Sequence, residues 1–261
     1  MAGSQAVIRI RQLFQLAEFE DVLSLQKTIW NFADIELLPL RFLVVVGKVG
    51  GHLFGAYDGG RMIGFCFAIP GIKDDGQPYL HSHMMGVLEE YHNAGVGRRL
   101  KLRQREDALG RGMGLIEWTF DPLELKNAFF NIERLGAIIR RYVENQYGTS
   151  SSPLQSGLPT DRCIAEWWID SPRVRAVLAG EPVARALVVQ APVERIAYPA
   201  AMADIRREDF ARAREIQQTN ARKFQQAFER GLAVTGFERS AREGTYVLEP
   251  WVEPRVVEQW P

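Results

Sequence analysis

The stretch EEYHNAGVGRRLKLRQRE, residues 89–106, decides how this sequence folds. It places two glycines, Gly95 and Gly97, one residue apart and directly before a run of arginine and lysine. An apolar segment leads into the stretch, and a basic helix is predicted from about Gly95 to Leu109. A helix that begins at such a loop presents unpaired backbone N–H groups and a positive dipole end, which together bind phosphate. An ordinary turn before a solvated helix has the same spacing, so the flanking sequence must separate the two.

The composition is that of a folded protein with balanced charge. Hydrophobic residues make up 46% of the 261 residues, and the 32 basic and 32 acidic side chains cancel. Zero formal net charge argues against a general nucleic-acid or membrane-surface binder. The two cysteines, Cys66 and Cys163, are too few for a disulfide framework or a four-ligand zinc site. Because no signal-peptide core or membrane-spanning run is found, the predicted location is the cytoplasm.

Strand and helix patterns alternate in a regular order ahead of the glycine loop. Strands are predicted from alternating apolar and polar residues, and helices from apolar residues three and four positions apart. The turn Asp58-Gly59-Gly60 is a strong hairpin signal between two of the strands. The predicted elements are a strand at 6–13, helices at 17–30 and within 39–48, and strands at 52–58, 61–70 and 79–87.

After the glycine loop in the sequence, the helix with the clearest start and stop signals is predicted over DPLELKNAFFNIERLGA, residues 121–137. Asp121 is predicted to cap its N-terminus, Pro122 to take the first helical position, and Gly136 to form the left-handed stop. A long loop rich in Ser, Gly and Pro follows, within residues 144–162. The other predicted elements are strands at 115–120, 137–143 and 163–169, a helix near 206–230, and a hairpin formed by 232–239 and 245–251.

Two well-known kinds of phosphate-binding loop also place glycines between a strand and a helix. A nucleoside-triphosphate loop needs Lys and Ser or Thr after its last glycine, but Arg98 follows Gly97. A dinucleotide loop needs a third glycine where Leu100 stands. The strand before a dinucleotide loop is normally buried on both faces and almost entirely apolar. In the strand at 79–87, His81 and His83 instead alternate with other residues, which indicates that one face opens on a cleft. Glu117 and Asp121 lie at roughly the distance from the loop at which a dinucleotide-binding protein carries the acid that binds the ribose. An NAD(P)-dependent oxidoreductase therefore stays an alternative.

The loop and the element order together resemble the GNAT superfamily of acyl-CoA-dependent N-acetyltransferases. The order β-α-α-β-β-β-α-β-α-β-β over about residues 6–170 is that of the family. Its Gln/Arg-x-x-Gly-x-Gly/Ala motif is similar to HNAGVG at 92–97, and its second hallmark to AFFNIERLGA at 128–137. The chain departs from the family where His92 replaces Gln or Arg, and where Ile132 replaces a tyrosine that protonates the departing thiolate.

The resemblance implies an α/β (α+β) fold with a mixed, mostly antiparallel central sheet flanked by helices. The GNAT-like domain is expected to cover residues 1–175. Residues 176–261 are expected to form a C-terminal α/β extension that packs on this domain or makes a dimer contact.

The resemblance also implies acetyl-CoA, or another acyl-CoA, as co-substrate. Its diphosphate is expected on the loop amides. Its pantetheine arm is expected to pair with the backbone of the strand at 79–87, if that strand splays from 115–120. Asn127 could contact it from the neighbouring helix. The residues expected to bind it are Met85, Val87, His92, Asn93, Ala94, Gly95, Val96, Gly97, Arg98 and Asn127.

Attack on a thioester requires a neutral amine, whereas a typical alkyl amine has a pKa of about 10. A base is therefore expected in the cleft. Glu117, an acid inside an apolar strand, is the first candidate, and His83 and His81 are the second. A thiol ionises at a pKa of about 8.5, so a thiolate can leave without the missing tyrosine. Tyr142 or Tyr147 could substitute for that tyrosine.

Two functions are favoured on the sequence alone, ahead of the NAD(P)-dependent oxidoreductase. The first is an N-acyltransferase that moves acetyl from acetyl-CoA to a primary amine in a ternary complex. Its acceptor would be a small molecule or a peptide, with no nucleic-acid or membrane partner and a possible homodimer. The second is a non-catalytic CoA-binding or assembly module that keeps the same fold.

Overall fold

The computed structural model describes residues 8–148, 157–183 and 193–251. The chain divides into two compact units, and we call them the N-terminal and the C-terminal unit. They comprise Met1–Thr119 with Tyr147–Thr160, and Phe120–Gln146 with Asp161–Pro261. Residues 120–146 thus group with the end of the chain, while the functional boundary expected at residue 175 stays a prediction. Within the described ranges, no helix combines the length and apolar character needed to cross a bilayer.

The N-terminal unit contains the predicted elements in the predicted order. Short 3-10 turns at Asp34–Glu36 and Glu89–Tyr91 join some of them. The main elements are β1 (Arg9–Gln12), α1 (Leu16–Trp30), α2 (Leu40–Lys48), β2 (His52–Asp58), β3 (Arg61–Ile72), β4 (Pro78–Val87), α3 (Val96–Gly110) and β5 (Leu115–Phe120).

The sheet of this unit is mostly antiparallel, as predicted. Strands β1 to β4 pair antiparallel in chain order, and β5 joins β4 in parallel. The predicted hairpin is confirmed between β2 and β3, with Gly59 in the left-handed region at φ 57°. On β4, Gly86 lies against Trp30 of α1, whereas Met85 lies against Gly97 of α3. Neighbouring strand residues face opposite sides, so α1 and α3 cover opposite faces of the sheet.

The C-terminal unit is built around a second antiparallel set of strands, in the order β7-β6-β9-β10-β8. Its core includes an aromatic cluster of Tyr198, Phe224, Phe237 and Tyr246. The elements are α4 (Leu125–Phe129) with a π-helical turn (Phe130–Arg134), β6 (Ile138–Val143), β7 (Arg162–Trp168), α5 (Pro172–Ala179), β8 (Glu194–Pro199), α6 (Met202–Glu208), α7 (Phe210–Glu229), β9 (Leu232–Arg239) and β10 (Glu243–Pro250).

Two helix predictions in this unit are corrected. The helix predicted from 121 begins at Leu125, because Asp121 Oδ1 accepts the N–H of Leu123 at 2.8 Å and holds a local turn instead of a cap. The helix predicted near 206–230 is two helices, since Asp209 leaves helical geometry and caps α7 through the N–H of Arg212. The predicted hairpin of β9 and β10 and the left-handed Gly136 (φ 79°) are confirmed.

Two further features concern the loop after β6 and the cysteines. The Ser/Gly/Pro-rich loop is described at 144–148 and 157–161, and its middle lies outside the described residues. Cys66 on β3 and Cys163 on β7 are both free and buried. Burial raises the pKa of the Cys66 thiol to about 12, and that of Cys163 well above its ordinary value.

Candidate functional site

The gap between β4 and β5 is the first feature of the candidate site. The recorded pairs between these strands are Leu80 with Ile116 and His81 with Glu117, at the start of both strands. From Ser82 to Val87, β4 continues with β3 as its recorded partner. Pairing between the two strands therefore ends at a vertex next to His81 and Glu117. We call the region beyond that vertex, where no further pair between β4 and β5 is recorded, the β4–β5 gap; it lies where the sequence allowed for a splay.

A β-bulge bends β4 at the edge of this gap. Met84 pairs with Phe67 and Ser82 with Ala68, so His83 is an extra residue in the β4 strand. Its ring lies 5.3 Å from the Phe67 ring and 5.8 Å from the His81 ring, measured between centroids. The bulge thus turns a candidate catalytic side chain toward the same face as His81.

The loop after β4 depends on two residues in left-handed conformation. Asn93 has φ 63° and Gly95 has φ 77°, a region that glycine adopts without strain and that asparagine tolerates better than most residues. Ahead of them, the Tyr91 hydroxyl donates to Asp58 Oδ2 at 2.7 Å and fixes the preceding turn. These constraints reverse the chain, so that α3 starts at Val96.

This reversal leaves backbone amides available at the start of α3. The Arg99 N–H donates to Gly95 O at 3.1 Å, and the Ala94 N–H donates to Tyr91 O at 3.4 Å. For Asn93, Gly95, Val96 and Gly97, the described part of the chain provides no acceptor for the backbone N–H. These four amides are therefore not blocked by the described backbone, whereas the amide of Ala94 is already bonded.

His92 links the loop to the end of β4. Its Nε2 lies 3.0 Å from the carbonyl oxygen of Val87, which can accept a hydrogen bond from the ring in the Nε2–H tautomer. The Val87 carbonyl thus already has a partner. An extended ligand arm beside β4 would need other backbone groups, such as those near Met85.

The basic run on α3 does not form one solvated face. Arg99 Nη2 donates to Ile8 O at 2.6 Å, and Arg103 pairs with Glu106. Lys101, by contrast, is only 2% exposed. Sequence reasoning missed its burial, although Lys101, Gln104 and Ala108 follow the spacing of three and four that marks an inward helix face.

Glu117 lies at the vertex of the gap and is ion-paired. Its side chain is buried, and its Oε1 lies 2.6 Å from Lys73 Nζ. Lys73 also sits 4.4 Å from the centroid of the Tyr79 ring. This ion pair fixes the position of the candidate base at the vertex, with Lys73 as the partner of its carboxyl group.

Both candidate histidines are shifted toward the neutral form. Burial, with smaller contributions from the charges of His83, Lys101 and Lys73, lowers the pKa of His81 to about 4. Desolvation also lowers the pKa of His83, although part of that side chain is exposed. A neutral imidazole can accept a proton, so His83 at the bulge keeps the chemistry expected of a base.

The remaining candidates are distributed over both units. Asn127 is exposed on α4 of the C-terminal unit, and its contact with a cofactor stays a prediction. Tyr142 donates its hydroxyl to Asp161 Oδ2 at 2.7 Å, and burial raises its pKa. Tyr147, in the N-terminal unit, lies 2.9 Å from Thr119 Oγ1, measured from its hydroxyl oxygen. Tyr147 is therefore held beside β5, two residues along the strand from Glu117.

A sequence comparison identifies the class of this domain. Residues 10–136 match the model of the acetyltransferase (GNAT) family. The chain therefore carries a GNAT acetyltransferase domain, and the resemblance that the loop and the element order indicated is confirmed. No curated protein matches the sequence.

Several solved structures share the fold of this chain. Arabidopsis thaliana NAA60 in complex with acetyl-CoA has a TM-score of 0.52 and 15% identity, over 63% of this chain and 100% of that chain. A putative acetyltransferase of the GNAT family from Desulfovibrio desulfuricans has a TM-score of 0.50 and 17% identity, over 62% and 99% of the two chains. The protein smu.2055 from Streptococcus mutans has a TM-score of 0.51 and 14% identity, over 62% and 99%.

Proposed function

We propose that this protein transfers an acetyl group from acetyl-CoA to a primary amine, by direct attack of the amine in a ternary complex. The observation that carries the proposal is the pairing of two features in one unit. Backbone amides at the start of α3 have no recorded acceptor among the described residues, and the β4–β5 gap runs along the preceding strand from its vertex at His81. The acetyl-CoA complex of NAA60, which shares this fold, supports acetyl-CoA as the co-substrate.

The proposal gives each part of an acyl-CoA a place in the N-terminal unit. The diphosphate would lie on the N–H groups of Asn93, Gly95, Val96 and Gly97, where the helix dipole favours negative charge. The pantetheine arm would follow β4 from Val87 toward His83, because an extended chain can pair with an open strand edge. The thioester would then reach the vertex of the gap, where Glu117 lies. Arg98, in the first turn of α3, would add positive charge near the diphosphate.

The reaction requires one proton to leave the amine. The amine nitrogen bonds to the thioester carbon, the carbon–sulfur bond breaks, and the electron pair remains on the sulfur of coenzyme A. Glu117, which is ion-paired with Lys73, takes the amine's proton directly or through a water molecule. His83 is the alternative base, since its neutral ring stands at the bulge.

A non-catalytic CoA-binding module is the second candidate function. It is favoured by the absence of the family's tyrosine, since Ile132 at that position is a buried apolar residue. The hydroxyl of Tyr142 is already bonded to Asp161. Such a module would bind acyl-CoA without releasing free thiol in the presence of any amine.

Calorimetric titration with acetyl-CoA, followed by a screen of amines with free-thiol detection, tests both candidates. Binding with thiol release that depends on the amine supports the transferase, and binding without release supports the module. If neither acetyl-CoA nor longer acyl-CoAs bind at millimolar concentration, both proposals are wrong. The screen should include small amines and peptide N-termini, because the acceptor class and a homodimer contact through 176–261 stay predictions.

A matched pair of variants tests the phosphate site itself. Ala94 is exposed in the loop between Asn93 and Gly95. Ala94→Asp places a carboxylate beside the amides, which suits a helix N-terminus but repels a diphosphate. We expect the Kd for acetyl-CoA to rise roughly tenfold or more with unchanged stability, whereas the neutral Ala94→Asn control keeps its affinity. Equal affinities of the two variants would place the diphosphate elsewhere.

A further inference from the structure

Lys101 is a buried cation that the proposed mechanism has not yet used. It lies on α3, the helix that starts at the phosphate loop, and is only 2% exposed. A lysine is almost never fully buried unless its charge is compensated. Within the described residues, no carboxylate is recorded as an ion-pair partner of Lys101. The free-energy cost of burying this charge needs an explanation beyond packing.

The Lys101 ammonium group lies at the vertex of the β4–β5 gap. Its Nζ donates to Ser82 Oγ at 2.8 Å, and it sits 3.7 Å from the centroid of the Trp118 ring. Ser82 and Trp118 each follow directly after the last recorded pair between the strands, His81 with Glu117. Lys101 therefore bridges β4 and β5 at the point where they separate, on the face covered by α3.

The orientation of Lys101 is fixed from the helix side. Ser82 Oγ also donates to Gln104 Oε1 at 2.9 Å, and both residues are buried. An ammonium group has three N–H donors. Ser82 accepts one of them and the Trp118 ring faces the group. The described residues provide no other hydrogen-bond acceptor for Nζ. A donor thus remains for an atom that enters the gap.

The titratable groups around Lys101 favour their uncharged forms. The titratable groups that face it are Cys66 from β3, His52 from β2 and His81 from β4. Burial favours the neutral form of all three, since it raises the pKa of the thiol and lowers that of both histidines. Burial likewise lowers the pKa of Lys101 to about 7, so that its proton is readily given up near neutral pH.

We propose that Lys101 donates a proton to the coenzyme A thiolate at the vertex of the β4–β5 gap, in place of the tyrosine that Ile132 replaces. This inference rests on the proposed acetyl transfer. As the carbon–sulfur bond breaks, the sulfur receives the electron pair and then the proton from Lys101 Nζ. Lys101 becomes a neutral amine, and a solvent proton restores it before the next turnover.

The decisive experiment measures the pKa of the thiol in bound coenzyme A, and it needs no acceptor. Thiolate absorbance is titrated with pH for coenzyme A bound to the wild type and to Lys101→Met, with desulfo-CoA complexes as blanks. The blanks also remove any signal from the protein's own thiols. Lys101→Met keeps the side chain's bulk and removes the charge. We expect the pKa of the bound thiol to be at least about one unit lower in the wild type.

Turnover provides the second measurement and separates charge from proton donation. The ratio of wild-type to Lys101→Met turnover, taken at each pH, cancels the titration of the acceptor. We expect a ratio of roughly 100 at pH 6 that declines as the pH passes through about 7. Lys101→Arg keeps the charge, so it should lower the pKa of the bound thiol, yet it cannot donate a proton and should not restore turnover.

Each outcome is decisive for one of the two proposals. If coenzyme A does not bind to the wild type, the proposed function fails and the role of Lys101 fails with it. If coenzyme A binds with the same thiol pKa in wild type and Lys101→Met, the role of Lys101 is wrong and acetyl transfer stands. Affinity for desulfo-CoA shows whether Lys101→Met is folded, and Ser82→Ala, which removes the acceptor of Lys101, offers a milder second variant.

Discussion

At the scale of single residues, Glu117 and Lys101 at the gap differ in how their charges are compensated. Glu117 is held by Lys73 at 2.6 Å, so its carboxylate is compensated by a partner. Lys101 is compensated by a hydroxyl and an aromatic face. The two groups therefore suit different roles in the same gap. Glu117 is the proposed proton acceptor, and Lys101 is the proposed proton donor.

Glu117→Gln is expected to abolish most turnover while leaving the Kd for acetyl-CoA unchanged. The amide keeps the shape of the side chain but cannot take a proton, so a loss of roughly 100-fold or more is expected. Steady-state kinetics and calorimetry on the same preparation measure both effects. Lys73→Met is the matched control, since it removes the ion pair but keeps the carboxylate. Full activity of Glu117→Gln would transfer the role of base to His83.

Lys101→Met is expected to be more stable than the wild type at pH 6, and this difference should shrink as the pH rises. Burial lowers the pKa of Lys101 to about 7 in the folded chain, against an ordinary value of 10.5. The unfolded chain therefore binds more protons between these values, and the cost of the buried charge is greatest below about 7. Each unit of pKa corresponds to about 1.4 kcal/mol, so the difference should reach a few kcal/mol.

Urea unfolding of both proteins at pH 6, 7, 8 and 9 measures this trend. A stability difference that stays constant over that range would mean that Lys101 keeps its ordinary pKa in the folded chain. In that case, the proton-donor role would lose its main chemical support.

At the scale of elements, the bulge in β4 determines which side chains face the gap. One extra residue, His83, shifts every later position of β4 relative to β3. Without it, the side chains from Met84 to Val87 would exchange faces, because side chains alternate along a strand. Met85 would then lose its place against Gly97 at the start of α3.

Deletion of His83 is expected to weaken acetyl-CoA binding by roughly tenfold or more, because it restores regular pairing and re-aims the edge of the gap. His83→Gln is the matched control, since it removes the imidazole but keeps the extra residue. Calorimetry on the two variants compares their affinities, and circular dichroism checks the fold of each. Unchanged affinity after the deletion would show that the bulge does not shape the binding edge.

The elements of the N-terminal unit were predictable because their signals are local. The hairpin at Asp58-Gly59-Gly60, and the glycine loop at 95–97, both follow from backbone conformations that few residues adopt. The helical spacing of Lys101 was a signal for its inward position, but its partners were not predictable, because Ser82 and Trp118 come from two distant strands. The Glu117–Lys73 pair likewise joins residues that are far apart in sequence.

The start of α4 shows a different reason for error. The sequence before it carries cap residues, but Asp121 bonds to Leu123, and its Oδ2 lies 3.3 Å from Arg206 Nη1. Both partners are buried. Tertiary pairing thus overrides a local helix signal, because a buried arginine must have its charge compensated.

At the scale of the whole molecule, residues beyond 180 supply much of the core of the C-terminal unit. The Phe224 ring stacks on Tyr142 of β6, and Tyr246 donates its hydroxyl to Pro122 O at 2.7 Å. On β6, Ile139 pairs with Val234 of β9. Residues 193–250 are therefore an integral part of the unit that begins at Phe120.

A truncation after Gly180 is expected to aggregate or to lose near-UV circular dichroism, since it removes β8, β9, β10, α6 and α7. Residues 120–146 would then expose apolar side chains that the full chain buries, such as Ile138 and Ile139. Size-exclusion chromatography with light scattering measures the outcome. A truncated protein that stays monodisperse and fully active would contradict this structural role.

The burial of Cys66 and Cys163 has a practical consequence for enzymology. Thiol-specific dyes react with thiolates, and both side chains are shielded and held in the protonated form. The native chain should therefore be silent in a colorimetric assay that follows the release of coenzyme A, which removes the usual background from enzyme sulfhydryls. If the protein alone reacts slowly with the dye, the rate measures the unfolding that exposes Cys66 and Cys163. The same assay would therefore report both catalysis and the loss of native enzyme.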